Sequence, residues 1–250
     1  MDQNKLSFLG HRTHRFLSPI TKAALDDAVD ATGVRPGGLA FDLGCGTAAI
    51  ALHLAERWGL HVKAVDRSPL MIAEAKARIG NRGAPGSVEL VESGSIEFLN
   101  AAGEADLVLA VGAVALTEGE QDATNVLQGL ARSVMPGGGL IWGESLWKKE
   151  PSEAMRALLG PTAAVYGSHA DYVRAGEAAA LLPLYATTAT DQDFDAYSWR
   201  YTRALEDHLR QHPGDPDAQA IRFRSYGWRA LYLAEGRETM GFGLYAFRKP

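Results

Sequence analysis

The sequence predicts an α/β protein built on a doubly wound, largely parallel sheet. Three observations carry that prediction. Short apolar runs alternate with amphipathic helical segments from Leu39 to Glu144. The first run, Leu39–Leu43, brings an acid, Asp42, and a two-glycine turn, Gly44-Cys45-Gly46, to the start of a helix-like segment. A second acid, Asp66, ends the second run twenty positions after Gly46. Open sheets of this kind bind ligands beyond the carboxyl ends of their strands, where both acids fall.

The elements follow in order. Residues 1–34 form an N-terminal cap, a polar leader followed by a helical pattern at Ile20, Ala24 and Val29, stopped by Arg35-Pro36-Gly37-Gly38. Strand one is Leu39–Leu43, and its helix carries Ile50, Leu54 and Trp58 on one face. Strand two is Val62–Asp66. Ser68-Pro69 reads as an N-cap with proline at the first helical position, before a stripe of Ile72, Ala75 and Ile79 that Gly80 ends. Strand three is Val88–Val91. Strand four, Asp106–Val111, is nearly all apolar, as a strand buried on both faces requires. Leu127, Leu130 and Val134 predict the next helix, Pro136-Gly137-Gly138-Gly139 its end, and Leu140–Glu144 strand five. The cofactor-binding core therefore spans 35–149. Residues 150–182 read as a helical insertion or lid with Gly160-Pro161 between short helices. Residues 183–250 complete the sheet: a strand at Leu184–Thr190, a helix at Phe194–Gln211, a helix from Asp215-Pro216 to about Glu235, and a terminal strand at Gly241–Phe247.

The 250 residues suit one large domain with an insertion, and 46% apolar residues support a sizeable core. A formal net charge of -5 argues against a general nucleic-acid binder. Cys45 is the single cysteine, which excludes an intrachain disulfide and a multi-cysteine metal site, and no metal is expected. The polar start Met1-Asp2-Gln3-Asn4-Lys5 and the lack of a long apolar run predict a cytoplasmic protein without a membrane partner.

A glycine turn with a distant acid fits two cofactors: a nicotinamide dinucleotide, or S-adenosylmethionine, whose ribose comes with a sulfonium and an ammonium and no phosphate. Asp42 separates them. Against a pyrophosphate charge at ~6 Å it costs roughly 3 kcal/mol at an effective dielectric near 20, and the sign reverses for an ammonium.

At these residues the chain resembles the class I S-adenosylmethionine-dependent methyltransferases of small-molecule type. The matching motifs are Phe41-Asp42-Leu43-Gly44-Cys45-Gly46-Thr47, Ala64-Val65-Asp66-Arg67-Ser68 and Met135-Pro136-Gly137-Gly138, over about residues 35–145. The resemblance implies a Rossmann-like seven-stranded sheet with a reversed last strand. It implies that Asp66 binds the ribose, that Asp42 with the Gly44-Cys45-Gly46 backbone holds the methionyl and ribose end, and that Met71 and Ile96 flank the adenine. Arg67, Gly94, Ser95 and Val111 complete the implied cofactor set. Two positions depart from the pattern: Ala48 stands where many members have a third glycine, and Ser95 where an acid or amide often contacts adenine. More weakly, His11-Arg12-Thr13-His14, Gly143-Glu144 with Trp147, and Gly241-Phe242-Gly243 resemble a bacterial YjhP-like branch.

Methyl transfer from a sulfonium is an in-line displacement that needs alignment, and a base only when the acceptor must lose a proton. Glu144, at the end of strand five, is either a substrate orienter or base, or a solvated strand-end acid. Trp147 either walls the acceptor pocket or packs under the insertion. His11 and His14 share a face if that segment is helical, and either belongs to a lid touching the transfer centre or packs structurally. Both are catalytic candidates beside Glu144; His11, Glu144 and Trp147 are the substrate-binding candidates. The carboxy-terminal third interleaves Arg200, Arg203, Arg222, Arg224 and Arg229 with Tyr197, Trp199, Tyr201, Phe223, Tyr226 and Trp228. That pattern reads as two amphipathic helices with solvated arginines and aromatic core stripes, in preference to an RNA surface. The expected function is methyl transfer from S-adenosylmethionine to a small-molecule acceptor, leaving S-adenosylhomocysteine. The alternatives are an NAD-dependent oxidoreductase and a non-catalytic S-adenosylmethionine-binding regulator.

Overall fold

Seven strands form one sheet in the order β3-β2-β1-β4-β5-β7-β6. The protein is described by a computed structural model that covers residues 3–80 and 86–250, so the first two residues of the expected cap lie outside the described residues. The strands are β1 (Leu39–Leu43), β2 (His61–Asp66), β3 (Ser87–Glu92), β4 (Ala105–Val111), β5 (Val134–Trp147), β6 (Leu182–Thr188) and β7 (Met240–Arg248). β1 to β5 run parallel, and β7 is antiparallel to both β5 and β6. The predicted doubly wound sheet and the reversed last strand are both present.

Alternation along each strand builds two apolar layers. Ala40, Val62, Leu107, Leu109, Ile141 and Leu244 face one layer with Leu25 and Val29 of α2 (Lys22–Thr32) and Ile50 and Leu54 of α3 (Ala49–Trp58). Phe41, Leu43, Val108, Ala110, Trp142 and Phe247 face the other, with Phe98 of α5 (Ser95–Ala102), Leu127 and Leu130 of α6 (Ala123–Ala131) and Tyr172 of α8 (His169–Ala178). Ser68 caps α4 (Pro69–Ile79) by accepting the Met71 N–H, with proline at the first position, as the sequence predicts.

Several local expectations shift. Val134 belongs to β5 and not to the preceding helix, because the Ala105 N–H and the Lys249 backbone draw residues 133–138 into the sheet. α5 is an element the sequence reading passes over. The sixth strand begins at Leu182 and ends at Thr188, two residues earlier than expected at each end. The helix expected from Asp215-Pro216 to Glu235 starts at Ala218, and its α-helical part, α10 (Ala218–Leu231), gives way to a π turn at Tyr232–Gly236 and a short α11 (Arg237–Thr239).

The chain between β5 and β6 holds α7 (Glu153–Leu159), a 3-10 segment (Gly160–Val165) and α8, and α8 packs back on α6, β6 and β7. A second helical excursion joins β6 to β7: α9 (Asp191–Gln211), α10 and α11. α9 packs against both α10 and the N-terminal helix α1 (Gln3–His11). Leu6 and Leu9 of α1 are buried with Leu205, Leu209 and Ile221, and Lys5 Nζ bridges Asp215 and Asp217 at 2.8 Å each. The element closing over α1 is therefore the later excursion, while the expected lid at 150–182 mostly rejoins the core.

Candidate active site

A cleft of ≈ 910 Å³ opens at the carboxyl ends of β1, β2 and β4, beside α1. Of the expected cofactor residues, Gly44, Gly46, Asp66, Arg67, Met71, Gly94, Ser95, Ile96 and Val111 line it. Asp42 and Cys45 do not; both are buried behind the turn.

The glycine turn is shaped by conformation and close approach. Gly44 and Gly46 have φ of +66° and +54°. A Cβ on Gly44 would lie 2.7 Å from the Ala113 Cβ, and one on Gly46 would lie 2.5 Å from Leu17. Gly44 therefore excludes a side chain sterically as well as conformationally, and at Gly46, where the flexible Leu17 could turn aside, the positive φ alone disfavours one. Ala48 also lies in the left-handed region, with φ 57°, which explains a glycine preference there. The strain costs on the order of 1 kcal/mol. Glycine would relieve it but give up a buried methyl and raise unfolded-chain entropy by a similar amount. Ala48→Gly is expected to change stability by less than about 1 kcal/mol, whereas Ala51→Gly, at a buried site inside α3, loses more than about 1.5 kcal/mol; urea denaturation of the two variants checks the contrast.

Asp66 ties the turn to β2. Its Oδ2 accepts the Gly46 N–H at 2.9 Å and its Oδ1 accepts the Ser68 N–H at 2.8 Å. Each carboxylate oxygen retains a further lone pair for a vicinal diol in the cleft. Asp42 is 2% exposed, and burial raises its pKa to about 7, with Asp66 adding to the rise. Its Oδ2 and the Thr47 Oγ have no hydrogen-bond partner. When ionised, Asp42 acts from behind the glycine turn and not as a contact in the cleft, and its negative potential there favours an ammonium group over a pyrophosphate. Cys45 is buried, and burial with its acidic neighbours pushes its thiol up, so it is not a nucleophile at neutral pH.

The two histidines meet, but not on one helical face. α1 ends at His11; the chain then turns, and the His14 N–H bonds the His11 carbonyl at 2.8 Å. The ring centroids are 5.3 Å apart. His11 lines the cleft. Its Nδ1 donates to the Ser7 carbonyl at 2.8 Å, which leaves Nε2 to accept the Tyr197 hydroxyl proton at 2.7 Å. Burial lowers the His11 pKa to about 4, so the ring is neutral at pH 7. His14 is buried off the cleft, donates from Nε2 to the Tyr197 carbonyl at 3.0 Å, and keeps an unpartnered Nδ1. Both histidines thus grip α9 at Tyr197, a residue the sequence reading assigned only to an aromatic stripe. No local signal could have paired them, since 186 positions separate His11 from Tyr197.

Glu144 and Trp147 lie outside the cleft lining. Trp147 is buried against Tyr166, ring centroids 5.5 Å apart, which is the packing role. Glu144 is half-buried; its Oε1 accepts the Ser145 N–H at 2.7 Å, and burial raises its pKa to about 7. Tyr166, the contribution of the 150–182 segment, is held up at about 12 by burial and by the nearby Glu144. A carboxyl that keeps its proton to pH 7 when folded but releases it near 4.5 when unfolded costs stability as pH rises through that window. Glu144→Gln should therefore gain stability relative to wild type between pH 4.5 and pH 7 and stay level above; parallel denaturation curves across pH read this directly. The aromatic stripes also differ from expectation: Trp199, Phe223 and Tyr226 are exposed, not in the core. No helix among the described residues is long and apolar enough to cross a membrane.

Residues 40–138 match the family model described as a methyltransferase domain. The uncharacterized protein YjhP of Escherichia coli (strain K12) is 23% identical over 248 residues, covering 98% of both chains. Two solved structures share the fold at a TM-score of 0.87 each. One, from Geobacter sulfurreducens, is 22% identical, covers 98% of each chain, and is a methyltransferase in complex with S-adenosyl-L-homocysteine. The other, from Thiobacillus denitrificans, is 23% identical over 100% of both chains and holds the same molecule.

Proposed function

We propose that this chain, a class I S-adenosylmethionine-dependent methyltransferase, moves the methyl group by in-line displacement onto a small-molecule acceptor seated under α1. What carries the reading is one cleft shared by nine expected cofactor residues and His11. Asp66 would hold the ribose diol, the Gly44–Gly46 backbone the methionyl end with Asp42 supplying negative potential from behind the turn, and Met71 and Ile96 the adenine. S-adenosylmethionine supplies an electrophilic methyl on sulfur; the protein supplies alignment and a place for a proton.

His11 is the group best suited to that proton. Its neutral ring accepts the Tyr197 hydroxyl proton at Nε2: as the Tyr197 oxygen takes the acceptor's proton, the tyrosine's own proton passes to Nε2, leaving Tyr197 neutral and His11 an imidazolium whose Nδ1–H stays on the Ser7 carbonyl. A hydroxyl or amine becomes strongly acidic as it takes on the methyl group. A base with a pKa near 4 is then strong enough to accept its proton. His14 acts as a positioning residue through Tyr197. Release of S-adenosylhomocysteine, followed over a panel of small hydroxyl, amine, thiol and carbon acids, tests the assignment. Acceptor-dependent release supports it. Release at the same rate with every acceptor omitted counts against an acceptor site.

A further inference from the structure

Helix α10 carries charge of one sign. From Ala218 to Ala234 the sequence holds Arg222, Arg224 and Arg229 and no acidic residue, in a chain whose net charge is -5. None of the three arginines forms an ion pair with a described residue; the Arg229 guanidinium lies over the Tyr226 ring at 5.3 Å. The inner face of the excursion is fully used. Ile221 is buried with Leu205 and Leu209, the Ser225 Oγ bonds Glu206, and the Tyr232 ring stacks on Phe194. The outer face is not. Phe223, Tyr226 and Ala230 of α10, followed by Leu233 in the π turn, come at spacings of three, four and three, and Phe223 is 77%, Tyr226 66% and Leu233 60% exposed.

An apolar stripe flanked by unpaired arginines matches the interface of an anionic bilayer, where apolar side chains enter the acyl boundary and guanidiniums meet phosphates. A symmetric self-contact along the stripe would set arginines against their own copies with no acid on the helix to offset them. A nucleic acid would engage the arginines but leave Ala230 and Leu233 uncovered. We propose that the outer face of α10 and of the π turn that continues it docks on an anionic lipid surface, with Phe223, Tyr226 and Leu233 as the inserting residues. The docking is peripheral and independent of the methyl-transfer reading.

Sedimentation with phosphatidylcholine vesicles, with and without about one third phosphatidylglycerol, tests it. The wild-type chain is expected to bind only the anionic vesicles. The triple change Arg222→Gln, Arg224→Gln, Arg229→Gln is expected to weaken binding on the order of a hundredfold. Phe223→Ser with Leu233→Ser should abolish what binding remains at high salt. Four of the five side chains are exposed and Arg229 is half-buried, and unchanged S-adenosylhomocysteine binding shows that each variant is folded. Failure of the wild type to sediment with anionic vesicles, or equal binding by the variants, overturns the proposal. Retention of polyuridylate without vesicle binding overturns it in favour of a nucleic acid, and a dimer lost on Phe223→Ser without vesicle binding in favour of a second copy.

Discussion

Asp66→Ala is expected to weaken S-adenosylmethionine binding by roughly a hundredfold. Two ribose hydroxyls donating to a carboxylate contribute about 3 kcal/mol together, and that is the direct loss. The same side chain holds the Gly46 and Ser68 N–H groups, so its removal also loosens the turn proposed to hold the methionyl end. Asp66→Asn keeps one acceptor oxygen and should fall between the two, near tenfold by the same reasoning. Thermal unfolding of each variant separates the effects, because a loosened turn lowers the melting point while a lost ribose contact does not. Wild-type affinity in Asp66→Ala would remove the ribose from β2.

The second large effect belongs to the cap. His11→Phe and Tyr197→Phe are each expected to lower kcat by about a hundredfold with the optimal acceptor, the range of a lost proton-transfer group. Cofactor affinity should change little, since neither residue holds the turn. The double variant should lose no more than the worse single one, because the two residues act through one hydrogen bond at 2.7 Å. His14→Phe should act through Tyr197 alone, with a smaller loss of kcat and an unchanged pH profile. Equal turnover in His11→Phe and wild type would return His11 to a packing role.

The sheet and the cofactor side were legible because their signals are local. Leu39–Leu43 carries its acid and glycines within a few positions, and the Asp66 contact to Gly46 closes a strand-helix-strand unit. The Ser68-Pro69 start is likewise set by neighbours in sequence. The α1–α9 cap proposed to cover the acceptor was not legible, because it is assembled from afar. α1 meets α9 only in the folded chain, and Tyr197 carries no motif. α5 escaped notice because a short helix buries little: Phe98 is its one buried residue, in contact with Phe41 at 5.0 Å. Val134 misled for the opposite reason. It continues the helical spacing of Leu127 and Leu130, but its partner is the backbone of Ala105. The exposed aromatics of α10 show the limit of composition, which cannot tell an inward stripe from an outward one.

The cleft beside α1 is proposed as the site for a cationic methyl donor and its product. Calorimetric titration of the wild-type chain with S-adenosylhomocysteine and, separately, with NAD tests it most directly. Saturable one-to-one binding of S-adenosylhomocysteine, lost in Asp66→Ala, is expected, with no saturable heat from NAD. Saturable NAD binding with no heat from S-adenosylhomocysteine would contradict it.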